Sequence, residues 1–453
     1  MSFRDFQDLS FAHPWELYGE GISTEFQQTL EEGRDVEKYR AEVERIAALP
    51  RGREKEEAAE CLFSVFYNAP MRKDYPYREP SDLSSIRALR PGNRPVFQKP
   101  AMDDSLRDKI TGAWLGRVCG CLLGKPVEGM RQAEILRIAR DEGNYPLKDY
   151  FGSNPEALKA AGHSEATLDR LAYCHRRGFM PPDDDTNYTV MDAVKLIDVY
   201  GRDFTPDDVA RVWLETQPVT AYCTAERVAI RNFVASIKPP LSAVYKNPFR
   251  EWIGAQIRGD YFGYINPGDP ETAADMAFRD ASISHVKNGI YGEMLFSAAI
   301  AAAAVESDPE KILRAGLGEI PAKCRLAEDV ETVISWFHAG VTAGDAVKRI
   351  RTRWDEANPH HWCHTDSNAM IVAAALLYGG MDYGKSITMA VEAGFDTDCN
   401  GATVGSVIGM AMGKDAVGEV WTSAINDTVD TTIIGCGMFR IKDLVDLTVK
   451  HVG

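Results

Sequence analysis

Residues 393–405 read Ala393-Gly394-Phe395-Asp396-Thr397-Asp398-Cys399-Asn400-Gly401-Ala402-Thr403-Val404-Gly405, and a run of small and apolar residues continues to Gly413. Two carboxylates one residue apart therefore stand directly before a stretch that reads as a buried helix. Negative charge is favourable at a helix N-terminus, so this pattern predicts a metal-ligand turn. A plain helix cap is the alternative, but a cap needs only one carboxylate.

Glycine recurs at every fourth position of this helix, although each glycine inside a helix costs about 1 kcal/mol relative to alanine. These glycines are Gly401, Gly405, Gly409 and Gly413. A second stretch has the same rhythm, with Gly112, Gly116, Gly120 and Gly124. Four-residue spacing places the glycines on one helix face, where another backbone can approach closely. We expect both helices at the centre of one helical core, and neither run has the roughly 20 uninterrupted apolar residues of a membrane span.

The composition excludes several classes of protein. A formal charge of -16 over 453 residues argues against binding to nucleic acid or to an anionic membrane surface. The first residues lack a basic segment followed by an apolar one, so we expect a cytoplasmic protein without a signal peptide. Nine cysteines are scattered without a Cys-x-x-Cys pair, which favours reduced thiols over disulfides or a zinc site.

The chain divides into two predicted regions. Residues 1–100 are predicted to form an added helical region, with helices over 25–49 and 54–67 and then a strap punctuated by prolines. The strap carries aromatic residues, so we expect it to pack on the main body. Residues 101–453 are predicted to be a compact all-α domain. Its predicted helices are 103–124, 130–141, 186–200, 206–215, 270–280, 289–306, 322–337, 342–355, 366–379, 384–394 and 397–413, with one short strand at 431–434.

A second acidic group, Asp183-Asp184-Asp185, follows two prolines and opens the helix predicted at 186–200. A solvated, capped helix start is the plain explanation of three consecutive aspartates. The matching turn at Asp396 and Asp398 favours a shared site instead. Five converging carboxylates would repel each other unless cations neutralised them. Oxygen ligands alone favour Mg²⁺, Mn²⁺ or Ca²⁺ over zinc.

Three blocks, taken in order, resemble the ADP-ribosylglycohydrolase family, which includes the dinitrogenase reductase activating glycohydrolases. They are Leu123-Gly124-Lys125-Pro126-Val127-Glu128-Gly129, Asp184-Asp185-Thr186 and Gly394-Phe395-Asp396-Thr397-Asp398. The likeness spans roughly residues 105–450. It implies an all-α fold with a two-magnesium centre at the bottom of a cleft.

The resemblance also implies roles for individual residues. The metal ligands would be Asp184, Asp185, Asp396 and Asp398, with Asp183 standing where the family usually has a hydroxyl residue. The catalytic residues would be Glu128, Asp184 and Asp185, Glu128 matching a glutamate that approaches the bound ribose. Cys399 stands where the family usually has Thr or Ser, and Cys121 replaces a common aspartate. One metal ion instead of two, or Mn²⁺ instead of Mg²⁺, therefore remains an alternative.

Two further stretches are predicted to line the substrate cleft. Residues 280–293 combine a His, an Asn, a Tyr and two glycines before an alanine-rich helix, and residues 364–368 are a polar run that opens a helix. The candidate substrate-binding residues are His285, Asn288, Gly289, Tyr291, His364 and Asn368. Interior side chains with satisfied hydrogen bonds, or plain helix caps, are the alternative for this group.

The function that the resemblance implies is metal-dependent hydrolysis of the C1″ bond of ADP-ribose conjugates or of a related riboside. Two alternatives stay open: a hydrolase of the same fold that acts on another small-molecule glycoside, and a non-catalytic descendant that binds ligands or serves a structural role. No nucleic-acid or membrane partner is expected, and the sequence does not decide between a monomer and a dimer.

Overall fold

The computed structural model describes residues 9–453, apart from the side chains of Tyr173 and Arg176. Helices α1–α26 dominate this part of the chain, and two strands of two residues each form one antiparallel pair. The all-α class is thus confirmed. Within residues 9–453, no helix combines the length and the apolar character that a membrane crossing requires.

The elements of the first half of the chain are short helices around one long one. In order, they are α1 Tyr18–Glu31, α2 Arg40–Ala47, α3 Arg53–Tyr67, α4 Leu83–Ala88, α5 Asp104–Gly124, α6 Gln132–Asp141, α7 Pro155–Ala160, α8 Glu165–Leu171, α9 Tyr173–Arg177, α10 Asp184–Met191, α11 Asp198–Tyr200, α12 Pro206–Thr216 and α13 Thr224–Val234. A π-helical segment, Asp192–Ile197, joins α10 to α11.

The second half contains the long central helices. In order, they are α14 Leu241–Val244, α15 Asp260–Tyr264, α16 Pro270–Ala281, α17 Asn288–Ala303, α18 Pro309–Leu317, α19 Arg325–His338, α20 Ala343–Arg353, α21 Pro359–Trp362, α22 Thr365–Gly379, α23 Tyr383–Glu392, α24 Thr397–Met412, α25 Glu419–Thr422 and α26 Ile441–His451. Strands β1 Thr428–Val429 and β2 Phe439–Arg440 lie between α25 and α26.

Two sequence-based assignments were wrong. The helix predicted over 25–49 is two helices, because Gly33 adopts a φ of +86° that ends α1, and the ring of Tyr75 occupies the space beside it. The strand predicted at 431–434 lies instead at Thr428–Val429. Thr431 uses its hydroxyl to bind the carbonyl oxygen of Gly437 at 2.8 Å, within a loop.

Helices α5 and α24 form the centre of the molecule, and their glycines face each other as the sequence predicts. A Cβ atom on Gly116 or Gly120 would fall on the carbonyl oxygen of a glycine in α24. At the end of α5, a Cβ on Gly124 would meet the backbone of Thr397 and Asp398. The two helices therefore run antiparallel with their backbones in contact. The C-terminal end of α5 is thereby fixed beside the N-terminal end of α24.

The region before residue 100 has its own apolar cluster and is anchored to the main body by polar contacts. Its cluster contains Ile22, Phe26, Val36, Val43, Ile46, Ala59, Leu62, Phe63, Phe66 and Ala69. The strap contacts the main body through Arg78, whose N–H donates to the carbonyl oxygen of Lys323 at 2.8 Å, and through Glu79, which pairs with Arg325 at 3.0 Å. The division of the chain at residue 100 remains a prediction.

Replacing Gly405 by alanine is expected to destabilise the protein. The new Cβ would fall on the Gly116 carbonyl group, 2.6 Å from its carbon. Overpacking of this kind costs about 1–3 kcal/mol, which exceeds the gain in helix propensity of about 1 kcal/mol. Chemical denaturation should therefore show a lower free energy of unfolding.

Gly344→Ala is the matched control, because this glycine also lies in a helix and no atom of residues 9–453 would approach its Cβ within 4 Å. Its stability should be unchanged or higher. Equal stability of the Gly405→Ala and Gly344→Ala variants would contradict the close-packing account.

Candidate metal centre

The N-terminal ends of α10 and α24 meet the C-terminal end of α5 in one acidic cluster. Three groups of side chains place their ligand atoms within 4.8 Å of one another. These groups are Glu128–Asp396–Asp398, Asp185–Asp398–Cys399 and Cys121–Asp183–Asp185. We call these seven residues, together with the adjacent Asp184, the aspartate cluster. The two acidic turns that lie more than 200 residues apart in sequence thus share one site.

Asp183 already has partners for both carboxylate oxygens. Its Oδ1 accepts the backbone N–H of Asp185 at 3.0 Å, so Asp183 caps α10. Its Oδ2 accepts the Lys125 ammonium at 2.5 Å. Asp183 therefore fixes the turn and holds a cation supplied by the protein.

Arg117, which is fully buried in α5, orients Asp185. The Arg117 guanidinium donates to the backbone oxygen of Asp185 at 2.6 Å and lies 3.4 Å from its Oδ1. It also pairs with Asp260 at 2.6 Å. The other carboxylate oxygen of Asp185, Oδ2, is buried and has no hydrogen-bond partner among residues 9–453. A free buried oxygen at this position is suited to a cation.

The second acidic turn is held by its backbone. Asp396 occupies the N-cap position of α24, yet its side chain makes no capping hydrogen bond within the described chain. Its backbone N–H donates to Asn368 Oδ1 at 3.1 Å, and the Thr397 hydroxyl donates to the Gly124 carbonyl at 2.9 Å. In the same part of the chain, the buried Oδ1 of Asp398 has no hydrogen-bond partner. Both carboxylates are thus left available to the cluster.

Burial and mutual repulsion raise the carboxyl pKa values of the cluster. The charge of Asp398, followed by partial loss of hydration, raises the pKa of Glu128 to about 9. Burial, followed by the charge of Asp183, raises the pKa of Asp184 to about 7 and that of Asp398 to about 6. The pKa values of Asp185 and Asp396 also lie well above the usual range. Burial is the larger cause, and neighbouring negative charge is the second. Ionising all of these groups together requires added positive charge.

Solvent reaches the cluster on one side. Glu128 and Cys223 are exposed there, and Lys125 and Asp184 are partly exposed, whereas the other aspartates are buried. The Cys223 thiol lies near the Asp184 carboxylate, whose negative charge raises the pKa of the thiol. The Arg170 guanidinium donates to the Glu128 backbone oxygen at 2.5 Å and holds this loop. A ligand would approach the cluster from this side.

The predicted substrate-binding residues divide into two sets. Asn368 contacts the second acidic turn, as described above. His285 lies 3.9 Å from Glu226, a carboxylate whose charge acts on Asp184. Two others contact the strap: Asn288 donates to Glu79 at 2.9 Å, and the Tyr291 hydroxyl donates to the Pro80 carbonyl oxygen. A Cβ on Gly289 would meet the Arg250 carbonyl oxygen at 2.7 Å, so Gly289 is a packing position.

His364 belongs to a second group of potential metal ligands, with Glu31 and His360. The Nδ1 atom of His360 accepts from the Trp252 indole at 2.9 Å, and that of His364 accepts from the Asp366 N–H at 3.1 Å. Each neutral ring therefore carries its proton on Nε2, which faces Glu31 at 3.1 and 3.8 Å. The His360 Nε2–H donates to Glu31, whereas the His364 Nε2 atom is buried without a hydrogen-bond partner among residues 9–453. With its proton on Nε2, neither ring offers a lone pair to a metal there, so the group anchors α1 to α21 and α22.

Sequence reasoning missed four residues of the site: Arg117, Lys125, Cys223 and Cys363. A lone arginine within a glycine-striped buried helix is a usable signal, because arginine is seldom buried without a carboxylate partner. Lys125 stands inside the block Leu123–Gly129, next to Glu128. No local signal identifies Cys223 or Cys363, whose thiols reach Asp184 and Asp396 only through the tertiary fold.

The model of the ADP-ribosylglycohydrolase family matches residues 102–449. The chain belongs to the ADP-ribosylglycohydrolase family. A solved structure of an ADP-ribosylglycohydrolase-related protein complex is similar to it, with 19% sequence identity and a TM-score of 0.45 over 77% of this chain and 98% of that chain. No curated protein matches the chain.

The ADP-ribosylglycohydrolase family implies a divalent-cation centre, and the aspartate cluster fits one. The fit rests on the partnerless buried oxygens of Asp185 and Asp398 and on the hard oxygen donors of the Glu128–Asp396–Asp398 group. Cys121 and Cys399 depart from an all-oxygen donor set.

The metal-free protein is expected to lose stability as the pH rises from about 5 to 9. In this range the folded cluster retains protons that carboxyl groups of the unfolded chain, with pKa values of about 4, have released. Stability falls with rising pH wherever the folded state binds more protons. Added Mg²⁺ or Mn²⁺ is expected to neutralise the carboxylates in place of these protons. The metal-induced increase in Tm should therefore be larger at pH 8 than at pH 6.

Thermal denaturation with chelator or with metal, at both pH values, checks this expectation. Asp398→Asn serves as the variant in which the metal-induced shift should shrink. A shift in the wild-type protein that is independent of pH would contradict the assignment.

Proposed function

We propose that this chain is a metal-dependent glycohydrolase that cleaves the C1″ bond of ADP-ribose conjugates or of a related riboside. One observation carries the proposal: two acidic helix starts converge on buried, partnerless carboxylate oxygens, and Glu128 closes the group on the solvent side. Family membership over residues 102–449 supports the same class of reaction.

The position of each carboxylate in the cluster suggests its role. The buried carboxylates Asp185, Asp396 and Asp398 would hold Mg²⁺ or Mn²⁺, with Asp184 at the edge toward solvent. Bound cations supply anchoring of ribose hydroxyls and stabilisation of charge at the anomeric centre. Whether one cation or two are held, the substrate sugar lies on the side where Glu128 is exposed.

Glu128 is the proposed general base, which removes a proton from the attacking water. It is exposed, and its loop is fixed by Arg170. In the metal-free site, the negative charge of Asp398 raises the Glu128 pKa to about 9, so Glu128 stays protonated at neutral pH. A cation that neutralises Asp398 would remove the repulsion and lower the Glu128 pKa. Glu128 could then lose its proton and act as the base.

The remaining predicted substrate residues are proposed to shape the cleft from behind. Asn368 positions the Asp396 turn, and His285 lies against Glu226. Asn288, Gly289 and Tyr291 fix the start of α17 against the strap, and His364 holds α22 beside α1. Removing any of these side chains would lower activity by displacing the residues that line the cleft.

A related function, hydrolysis of a different small-molecule glycoside, is the second candidate. The Lys125 ammonium and the Cys223 thiol both lie on the solvent side of the cluster. These groups would change the surface that contacts the sugar and the leaving group of the substrate. A panel of ADP-ribosyl conjugates and simpler N- and O-ribosides separates the two candidates.

Asp398→Asn is expected to abolish hydrolysis of the preferred substrate with the fold intact, because this carboxylate belongs to two of the three ligand groups. Glu128→Gln should lower kcat by about 10²–10⁴-fold, the usual contribution of a general base. Release of the free sugar with Mg²⁺ or Mn²⁺ present is the measurement.

Asp415→Asn provides the matched control, since Asp415 is an exposed aspartate after α24. Circular dichroism verifies that each variant is folded. Full activity of Asp398→Asn would contradict the metal mechanism.

A further inference from the structure

Four of the nine cysteines lie at the aspartate cluster, although they are scattered in sequence. Cys121 and Cys399 belong to the cluster itself, and both are buried. The Cys363 thiol donates to Asp396 Oδ2 at 3.9 Å, and the Cys223 thiol lies near Asp184, whose charge raises the thiol pKa. Buried cysteines usually pack as small apolar side chains. Cys121, Cys363 and Cys399 do belong to the apolar core, but the sulfur atom of each also faces a carboxylate, as a metal ligand would.

The cluster offers two positions with different donor atoms. The Glu128–Asp396–Asp398 group supplies oxygen only, whereas the Asp185–Asp398–Cys399 group supplies two oxygens and one sulfur. Asp398 belongs to both, so cations in the two positions would share it. Ligand atoms bound to one ion at about 2.0–2.3 Å lie at most about 4.6 Å apart. In both positions, all three ligand atoms lie within 4.8 Å of one another.

Partnerless oxygens mark the sulfur-containing position independently of the cysteines. Asp185 and Asp398 each keep one buried oxygen without a hydrogen bond in the described part of the chain. Both side chains are fully or almost fully buried, at 0% and 2% exposure. In the neighbouring group, Asp183 is already neutralised by the Lys125 ammonium. Arg117 lies 3.4 Å from the Oδ1 atom of Asp185, so the Oδ2 atom of Asp185 and the Oδ1 atom of Asp398 remain for an added cation beside Cys399.

We propose that the position bounded by Asp185, Asp398 and Cys399 binds a thiophilic divalent cation, Zn²⁺ or Fe²⁺, through the Cys399 thiolate. The oxygen-only position, Glu128–Asp396–Asp398, takes a harder cation, Mg²⁺ or Mn²⁺. Thiolate ligands select zinc and iron, and carboxylates suit magnesium and manganese. On binding, the Cys399 Sγ proton passes to solvent and one metal–sulfur bond forms. This inference rests on the proposed function in one respect, since it requires the cluster to bind metal.

Cobalt is the probe for the metal–sulfur bond. The reduced, metal-stripped protein is titrated with Co²⁺ without oxygen, and the thiolate-to-cobalt charge-transfer absorption is recorded. The wild-type protein should develop this band at one equivalent, and Cys399→Ser should lose it. Loss of an outer-shell partner alone weakens metal binding by about 10–100-fold, so loss of the thiolate itself should weaken Co²⁺ and Zn²⁺ at least that much.

Cys61→Ser is the matched control, because Cys61 is exposed in α3, and its band should be unchanged. Mn²⁺ binding, followed by electron paramagnetic resonance, should persist in Cys399→Ser at the oxygen-only position. X-ray absorption of the zinc-loaded wild-type protein checks the same bond without a variant, since a Zn–S path of about 2.3 Å is expected.

The possible results separate the two proposals. Mn²⁺ binding without a cobalt–thiolate band, a band that survives in Cys399→Ser, or an oxygen-only zinc shell would overturn this inference and leave the proposed function intact. A folded wild-type protein that binds neither Mn²⁺ nor Co²⁺ would overturn both.

Discussion

Backbone contact between α5 and α24 is the constraint on which the rest of the structure depends. Only residues without a Cβ allow it, since a methyl group at Gly116 or Gly120 would occupy the position of a carbonyl oxygen across the helix pair. The antiparallel pairing sets the end of α5 beside the start of α24. Because of this geometry, Lys125 and Glu128 face the Asp396–Asp398 turn. The glycines lower the helix propensity of α5 and α24, but their close contact is what brings the residues of the site together.

The site then faces a problem of charge. Six carboxylates come together. Among the described residues, the ion pairs at these carboxylates come from Arg117, which also pairs with Asp260, and from Lys125, which pairs with Asp183. Repulsion and burial hold protons on the cluster in the absence of metal. Divalent cations would resolve the imbalance and free Glu128 to act as a base. The same reasoning explains why sulfur at Cys399 matters, since it changes which cation suits the remaining position.

Much of this was readable from local sequence, and the failures have a common cause. The glycine rhythm indicated the paired central helices, and the acidic turns at Asp183–Asp185 and Asp396–Asp398 indicated a shared site, because both signals are short-range patterns with a direct physical meaning. The helix predicted over 25–49 was wrong because Gly33 adopts a positive φ that packs against a distant tyrosine. The ion pair of Lys125 and the contacts of Cys223 depend on residues far away in sequence, so no window of sequence contains them.

The claim that the aspartate cluster binds a ribose through metal ions is tested most directly by calorimetric titration of the metal-stripped protein with ADP-ribose, with and without Mg²⁺ or Mn²⁺. The account predicts that ADP-ribose binds only when metal is present. Binding of equal affinity without metal would contradict the role of the cluster. Absence of binding to the folded, metal-loaded protein would contradict ADP-ribose as the ligand and direct the search to other glycosides.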